Sequence, residues 1–399
     1  MDSKIRFDLH TPCYIFDESE FERGITSFKA ALDAKFAKTA IGYSVKTNSL
    51  PYALKQAHSI GCKAEVVSHD EYRLARLCGY APNEIIYNGP MKSWDTFHEA
   101  VEGGAIVNIE AKRELCWLDK LPEGKVYNIG LRLNINISHV SPMDADGDDD
   151  NSRFGFSDET DEFKDALQFI ASRPKLRLAG LHIHRTAHSR SPRFYENSIR
   201  YASTIIKKYN LDIDYIDVGG GYFGIFPNKP TFDDYSEAFH RALKESGLDN
   251  LTIIVEPGNA LTASSFKFLS QVIDKKKVDA KTCFVTTDGS RNDIDPFFKK
   301  SDYLKEIIYQ NSDSPTVPLQ IITGCTCLEY DRLFSLNNAP ALEVGDHILY
   351  NNVGAYTMTL SPQFIRLCPR VYSLNSKGEF KLVRRESRAE DIINLDNNA

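Results

Sequence analysis

The sequence predicts an α/β fold, a closed (β/α)8 barrel joined to a C-terminal β-rich domain, and two observations lead to that prediction. Between residue 41 and about residue 260, apolar runs of strand length alternate with stretches of helical periodicity, which is the pattern of parallel βαβ units. Beyond about residue 265 the helical patterns become rare and strand-like runs dominate. Eight strands in succession indicate a closed TIM barrel, although an open doubly wound sheet uses a similar number of strands and stays the alternative.

The barrel strands are predicted from short runs of apolar and β-branched residues that lie between turn residues. In chain order they are residues 41–45, 64–67, 84–87, 105–109, 127–134, 178–184, 214–218 and 251–256. Amphipathic stretches between them predict helices, and several of these stretches end at glycine, which supplies a left-handed helix cap. The predicted helices lie in residues 51–61, 69–79, 93–104, 112–120, 160–173, 194–209 and 232–246.

The second domain is predicted from strand-like runs in the last third of the chain. They lie at residues 266–274, 281–288, 319–324, 346–353 and 379–385. Near the N-terminus, the run TPCYIFD at residues 11–17 is also strand-like and leads into a helical pattern.

The composition is that of a globular protein without a nucleic-acid partner. Charged residues make up 26% of the chain and hydrophobic residues 42%, and the net charge of −7 offers no basic surface for nucleic acid. The sequence contains neither a signal-like N-terminal run nor an apolar stretch of about 20 residues, so we expect a cytoplasmic location and no membrane contact. The eight cysteines are expected to stay reduced in that compartment.

No metal site is expected. Cys325 and Cys327 are separated by one residue, which does not match the spacing of a zinc pair. His182 and His184 share one face of a strand, but the sequence indicates no third ligand beside them. The acidic run at residues 144–151 lacks the glutamate that ends a calcium-binding loop, and we expect it to be a solvated loop.

Polar side chains and a glycine run gather at the carboxyl ends of the predicted barrel strands. Active sites of such barrels lie at that end, so these residues predict where the chemistry takes place. The polar residues are Lys46, Glu65, Ser68, Asn88, Arg132, His182, His184 and Glu256, and the glycines are Gly219, Gly220 and Gly221.

The three consecutive glycines and the lysine together predict a phosphate-bearing aldehyde cofactor. Glycine lets backbone N–H groups approach a ligand closely, and barrels often hold phosphate after their seventh and eighth strands; a tight turn is the alternative use of the glycines. Lys46 either extends its amine to water or is buried, in which case its pKa falls and a neutral amine can condense with an aldehyde. We therefore predict pyridoxal 5′-phosphate on Lys46, with Glu256 keeping the pyridine nitrogen protonated.

These residues stand in motifs that resemble the fold type III pyridoxal-phosphate enzymes, specifically the diaminopimelate/ornithine decarboxylase family, whose barrel is similar to that of alanine racemase. The resemblance implies that Lys46 carries a Schiff base, that His184 stacks on the pyridine face and that Glu256 meets the ring nitrogen. The motifs and their implied cofactor residues are YSVKTN with Lys46, AEVVSHDE with Glu65, RFGF after Arg132, LHIHRT with His184, VGGGYF with Gly219, Gly220 and Gly221, EPG with Glu256 and Gly258, and GAYTM with Tyr356.

The same resemblance implies a homodimer with shared active sites. Cys327, in the segment GCTCLEYD, is implied to reach the neighbouring subunit's site, where it or Lys46 returns a proton to Cα. The residues implied on the substrate side are Asp288, Asp295, Glu329 and Asp331. The resemblance also implies that residues 36–262 form the barrel and that residues 1–35 and 263–399 form the β-rich domain, completed by the N-terminal strand.

The resemblance implies a decarboxylase that releases CO2 from the Cα of an amino acid. Asp295 before Pro296 replaces the arginine with which diaminopimelate enzymes read the distal carboxylate, which argues against diaminopimelate itself. An acidic pocket favours a basic or diamino acid, such as lysine, ornithine, a diaminopimelate-like compound or a polyamine precursor. The alternatives are an amino-acid racemase of the same fold and a non-catalytic regulatory homologue.

Two departures from the family pattern alter the expected phosphate grip. Asn259 follows EPG where the family usually has arginine, and Thr186 and Ala187 stand where it has glycine and serine. Arg185 is one candidate to compensate for these changes. Arg185, Arg190 and Arg193 also offer positive charges for a carboxylate.

Overall fold

The computed structural model describes residues 9–145, 152–185, 187–311 and 313–396. Strand β1 (Cys13–Asp17) and helix α1 (Glu18–Asp33) open the described chain. The chain divides into two compact units, of which one comprises residues 22–261. The other combines the segment up to residue 21 with the segment from residue 262 onward.

The unit of residues 22–261 is a closed barrel of parallel strands, as the sequence predicts. Its strands are β2 (Thr39–Ser44), β3 (Lys63–Ser68), β4 (Ile85–Met91), β5 (Ile106–Ile109), β6 (Tyr127–Asn134), β8 (Leu176–His182), β9 (Tyr215–Asp217) and β10 (Thr252–Val255). Each strand pairs with the next, and β10 pairs in parallel with β2, which closes the ring. The two-residue strand β7 (Phe156–Ser157) pairs with β6 outside the ring. This closure excludes the open doubly wound sheet.

Helices connect the barrel strands, and all seven predicted helices are present. In the described ranges they are α2 (Pro51–Ser59), α3 (His69–Leu77), α4 (Trp94–Glu102), α5 (Lys112–Leu118), α6 (Ile137–Val140), α7 (Glu162–Ala171), α8 (Pro192–Lys208), α9 (Phe232–Ser246) and α10 (Asn259–Thr262), with 3-10 turns at Val45–Thr47, Pro82–Glu84 and Pro142–Asp144. Helix α9 is typical: the Thr231 hydroxyl accepts a hydrogen bond from the Asp234 N–H at its start. It ends at Gly247, whose φ of +71° favours glycine.

Helix α1 belongs mostly to the barrel unit because it packs against α9. Phe28 stacks on Phe232 with ring centroids 4.3 Å apart. Ser236 Oγ donates a 2.6 Å hydrogen bond to the carbonyl of Ala31. The division at residue 22 therefore differs from the predicted boundary at residue 36.

The second unit is β-rich, as predicted. Besides β1 it contains β11 (Phe266–Lys277), β12 (Thr282–Thr287), β13 (Lys305–Ile308), β14 (Thr316–Thr323), β15 (Arg332–Pro340), β16 (His347–Tyr350), β17 (Arg370–Leu374) and β18 (Phe380–Arg384), with helices α11 (Arg291–Ile294) and α12 (Ala389–Asp396). The strands lie in the order β15-β14-β12-β11-β1-β17-β18, with β16 on β11 and β13 on β16. The N-terminal strand β1 is therefore an interior strand, antiparallel to β11 and parallel to β17.

Three strands of this unit, β13, β15 and β17, are absent from the sequence prediction. Strand β15 mixes polar and apolar residues and ends at Pro340, so neither an alternation nor an apolar run marks it.

None of the helices in the described ranges is long and apolar enough to cross a membrane.

The start of the acidic run is not solvated, in contrast to the prediction. Asp144 is buried, because its carboxylate accepts hydrogen bonds from the hydroxyls of Ser141, Ser189 and Ser191. The rest of the run, residues 146–151, lies outside the described residues.

Candidate active site

Lys46 lies at the carboxyl edge of the barrel, in the 3-10 turn that follows β2. Its Nζ donates to Glu65 Oε2 at 2.7 Å and to Ser44 Oγ at 2.9 Å. Ser44 Oγ in turn donates to the same Glu65 oxygen at 2.6 Å. The lysine side chain is 33% exposed, whereas the glutamate side chain is 1% exposed. The amine is therefore fixed against a buried carboxylate and still accessible from the barrel mouth.

Asn88 connects the two buried glutamates of the barrel mouth. Its Nδ2 donates to Glu65 Oε1 at 3.2 Å and to Glu256 Oε1 at 2.6 Å. Its carbonyl oxygen accepts a 2.8 Å hydrogen bond from Asn108 Nδ2, and Asn108 accepts from the Tyr215 hydroxyl. This chain fixes which way the Asn88 amide faces. The sequence places Asn88 at a strand end but does not indicate the bridge, because Glu256 is 168 residues away in the chain.

Glu256 has a second buried carboxyl group beside it, which the sequence analysis missed. Asp217 lies at the end of β9, and burial, followed by the charge of Glu256, raises its pKa well above the ordinary value. Asp217 therefore favours its protonated form. His182 Nε2 lies 3.4 Å from Glu256 Oε2.

The glycine turn after β9 packs directly against His184. The Gly220 N–H donates to His184 Nδ1 at 2.9 Å, so that nitrogen carries no proton. Burial, followed by the charge of Arg132, lowers the pKa of His184 well below its ordinary value, and the ring is therefore neutral. A Cβ on Gly219 would lie 2.3 Å from His184 Nδ1, which no side chain tolerates.

Arg132 braces the same region from β6. Its Nη1 donates to Glu110 Oε2 at 2.8 Å and its Nη2 donates to the His184 carbonyl at 3.0 Å. The guanidinium also lies 4.9 Å from the ring centroid of Phe154, in the RFGF motif. Arg132 thus holds the backbone at His184.

The loop after β10 lies against the turn that carries Lys46. A Cβ on Gly258 would lie 2.0 Å from Thr47 Oγ1, so only glycine fits there. A Cβ on Gly220 would lie 2.4 Å from the carbonyl oxygen of Glu256. The three loops that follow β2, β9 and β10 are therefore in backbone contact.

His182, His184 and Glu256 also form a set whose potential ligand atoms lie within 4.8 Å of one another. The sequence indicates the two histidines but no third ligand, because Glu256 comes from a different strand. The same residues line the predicted cofactor site.

The predicted substrate residues lie in the β-rich unit, where two of the carboxylates hold the backbone. Asp295 accepts hydrogen bonds from Arg291 and from the Tyr303 hydroxyl. Asp331 is buried and accepts from the Thr326 hydroxyl at 2.6 Å. Asp288 is half-buried and accepts from the Gln271 N–H, and burial raises its pKa.

Three residues of the GCTCLEYD segment are exposed. They are Cys327, Glu329 and Tyr330, on the loop that Asp331 holds in place. Tyr356 is 39% exposed and has a φ of +56°, an uncommon conformation for a residue other than glycine. Thr186 lies outside the described residues.

The barrel residues fit pyridoxal 5′-phosphate. The mouth offers an accessible lysine amine, a buried glutamate, a neutral histidine ring and a turn in which Gly219 and Gly220 leave no room for a Cβ. These are the groups that such a cofactor requires for its aldehyde, ring nitrogen, ring face and phosphate.

Comparison with known proteins agrees with this fit. The family described as "Pyridoxal-dependent decarboxylase, pyridoxal binding domain" matches residues 18–263. A probable chloroplastic diaminopimelate decarboxylase of Oryza sativa subsp. japonica is 26% identical over 97% of this chain and 80% of its own. A diaminopimelate decarboxylase of Helicobacter pylori strain J99 is 27% identical over 97% and 95%. The crystal structure of the Helicobacter pylori enzyme complexed with L-lysine, 25% identical, superposes with a TM-score of 0.82 over 98% of both chains. The chain belongs to the pyridoxal-dependent decarboxylases, enzymes that use pyridoxal 5′-phosphate to release CO2 from an amino acid.

Proposed function

We propose that this enzyme decarboxylates a basic or diamino acid and that Lys46 is the residue that binds pyridoxal 5′-phosphate covalently. The observation that supports the proposal most is the position of Lys46 Nζ, 2.7 Å from the buried Glu65 carboxylate at the carboxyl edge of the barrel. A cationic amine there is paired, and loss of its proton leaves a nucleophile in the same place. Ser44 stays within 2.9 Å to hold it.

The other barrel residues take complementary roles in this proposal. Glu256 pairs with the protonated ring nitrogen, the neutral ring of His184 lies on the ring face, and the glycine turn holds the phosphate. When bound, the cofactor supplies the electron sink that accepts the electron pair left on Cα as CO2 departs. The proposed cofactor residues are Lys46, Glu65, Arg132, His184, Gly219, Gly220, Gly221, Glu256, Gly258 and Tyr356.

The substrate class rests on the relatives' names and on the acidic side chains of the second unit. The relatives are named diaminopimelate decarboxylases, and one was solved with L-lysine. Asp295 and Asp331 already accept several hydrogen bonds from their own loops. Glu329 and Asp288 are therefore the better candidates to meet a distal ammonium group. Glu329→Gln should raise KM for a diamino acid more than it lowers kcat.

We further propose a cytoplasmic homodimer in which the exposed Cys327 of one subunit serves the site of the other, returning a proton to Cα. Mixing Lys46→Ala protein with Cys327→Ala protein tests this. Shared sites restore activity to about one quarter of the unmodified level, because random exchange leaves one intact site in each hybrid. Sites confined to one chain leave the mixture no more active than its components.

The cofactor assignment is tested with Lys46→Ala and a matched control, Lys63→Ala. Lys63 begins the neighbouring strand β3, at the opposite end of the barrel, where it is half-buried and its amine donates to the Asn83 carbonyl at 2.6 Å. We expect Lys46→Ala to lose the visible absorbance of the bound cofactor and to release no CO2 from lysine, ornithine, arginine or diaminopimelate. Lys63→Ala should keep both properties. An active, coloured Lys46→Ala protein would contradict the proposal.

A further inference from the structure

We propose that Arg190 is the cation that binds the cofactor's phosphate group, and that Asn259 holds its guanidinium in place. The inference rests on the proposed binding of pyridoxal 5′-phosphate at the barrel mouth. Arg190 lies on the loop that follows β8, outside the motifs that identify the family.

The loops after β9 and β10 run alongside each other. These are the seventh and eighth strands of the barrel, after which such barrels often hold phosphate. A Cβ on Gly220 would lie 2.4 Å from the carbonyl oxygen of Glu256, and a Cβ on Gly224 would lie 2.5 Å from that of Ala260. The two backbones are therefore in contact at both ends of the glycine loop. Asn259 stands on the second backbone, one residue before Ala260.

The Arg190 guanidinium reaches this same place. With the Asn259 amide turned so that its oxygen faces the guanidinium, that oxygen accepts from Arg190 Nη1 at 2.9 Å and from Nη2 at 3.2 Å. The guanidinium also lies 5.2 Å from the ring centroid of Phe223, at the end of the glycine loop. An arginine from the β8 loop thus contacts both loops that bound the expected phosphate position.

The backbone of Arg190 is held on both sides, so the placement is built into the fold. The hydroxyls of Ser189 and Ser191 both donate to Asp144 Oδ1 at 2.7 Å. The Tyr235 hydroxyl donates to the Arg190 carbonyl at 2.7 Å and lies 3.2 Å from the Phe223 nitrogen, whose N–H it accepts. Arg190 itself has a φ of +48°, a strained conformation that this network maintains.

The chemistry of the group suits a phosphate. A guanidinium presents five N–H donors in a planar arrangement that matches phosphate geometry. Two of them are directed at Asn259, so three further N–H groups can donate to a phosphate. Asn259 is neutral, and it positions the guanidinium without cancelling its charge. Arg193, three residues further on, differs because it forms an ion pair with Asp144.

The test compares two ligands that differ only in the phosphate group, pyridoxal 5′-phosphate and pyridoxal. Equilibrium dissociation constants are measured by absorbance and fluorescence on protein stripped of cofactor. Because a charge-assisted hydrogen bond to phosphate is lost, Arg190→Ala should raise the dissociation constant for pyridoxal 5′-phosphate by about 10- to 100-fold. The dissociation constant for pyridoxal should change by less than about twofold. Arg200→Ala, an exposed arginine of α8, is the matched control and should change neither constant.

A second variant, which supplies a guanidinium from position 259 instead, distinguishes a loss of phosphate binding from a folding defect. Arg190→Ala combined with Asn259→Arg should recover most of the lost affinity for pyridoxal 5′-phosphate. Arg190→Lys keeps the positive charge but loses the planar guanidinium. Its dissociation constant for pyridoxal 5′-phosphate should lie between those of the unmodified protein and Arg190→Ala.

Each remaining outcome is decisive. Equal weakening of both ligands, or an unchanged constant for pyridoxal 5′-phosphate, overturns the assignment of Arg190. A higher KM for the amino acid with unchanged cofactor affinity also overturns it and assigns Arg190 to a substrate carboxylate. If the unmodified protein binds pyridoxal as tightly as pyridoxal 5′-phosphate, the proposed function itself is wrong, and not only the assignment of Arg190.

Discussion

Removal of the Lys92 amine should destabilise the barrel severely, because it leaves a charge buried without its partner. Lys92 and Glu114 form an ion pair whose two side chains are 0% exposed. Lys92 Nζ lies 3.1 and 3.2 Å from the two carboxylate oxygens and donates to the Gly89 carbonyl at 2.8 Å. Glu114 Oε2 also accepts the Glu110 N–H at 3.0 Å. The pair thus ties the ends of β4 and β5 together behind the site.

The magnitude follows from this burial. Breaking a buried pair by removing one partner costs about 3–5 kcal/mol. For a unit of this size each kcal/mol lowers Tm by about 2–4 °C, so Lys92→Met should lower Tm by roughly 6–20 °C. The double variant Lys92→Met with Glu114→Leu removes both charges and should recover part of the loss. It should stay about 1–3 kcal/mol below the unmodified protein, since the Glu110 N–H loses its acceptor.

The assay is thermal and chemical denaturation, both followed by circular dichroism, with Lys29→Met as the matched control. Lys29 pairs with Asp33 on the surface of α1, with side chains 53% and 46% exposed, so its loss should cost no more than about 0.5 kcal/mol. Equal destabilisation by Lys29→Met and Lys92→Met would refute the reasoning. So would a double variant that is less stable than Lys92→Met.

The pH dependence of Lys92→Met provides a second check. Burial raises the pKa of Glu114 above its ordinary 4.5, while Lys92 lowers it, so removing Lys92 raises that pKa further. The folded state then holds a proton that the unfolded state releases, and its stability falls as pH rises through the raised pKa. The deficit of Lys92→Met should therefore shrink as pH falls from 7 toward 4.5, and a constant deficit would argue that Glu114 does not titrate.

Three further predictions concern the site itself. Asn88→Ala leaves Glu65 and Glu256 without their shared donor and should lower kcat by about 10- to 100-fold, from the loss of hydrogen bonds to charged groups, with the circular dichroism spectrum unchanged. Gly220→Ala places a Cβ 2.4 Å from the Glu256 carbonyl oxygen and should weaken cofactor affinity in titrations; retained affinity would show that the loops can separate. Burial raises the pKa of Asp144, but hydrogen bonds from an arginine and three serines prevail and lower it from 3.8 to about 2. The carboxylate therefore contributes stability above pH 3.8 that is lost as pH falls toward 2, and Asp144→Asn should abolish that part of the pH profile in urea denaturation.

The sequence predicts most of the barrel because local patterns determine it. A parallel strand buried on both faces gives a continuous apolar run, and most such runs here end at a polar residue on the active side. Lys46 and Glu256 could be identified in this way without any contact information. The partners of these residues could not, since Asn88 lies three strands away from Glu256 in the barrel and Asp217 on the neighbouring strand, both at sequence separations that no local pattern encodes.

Arg190 illustrates the same limit. In the sequence it is one of three arginines within nine residues, and composition offers no reason to prefer it over Arg185 or Arg193. The structure separates them by their partners: Arg193 pairs with Asp144, whereas Arg190 faces Asn259. The departure at Asn259 is visible in the sequence, but the residue that meets it there depends on how the β8 loop folds over the barrel.

The neutral amide of Asn88 explains how two buried carboxylates can stand at one barrel mouth with different tasks. A cation at this position would satisfy both glutamates but would also neutralise them. An amide donates a hydrogen bond to each carboxylate and adds no charge, and Glu65 also pairs with the Lys46 amine. The raised pKa of Asp217 works in the same direction, since a protonated neighbour does not compete with Glu256 for a cation. The mouth therefore presents one carboxylate paired with a lysine amine and a second carboxylate beside a protonated neighbour, which suits a lysine-bound aldehyde opposite a protonated ring nitrogen.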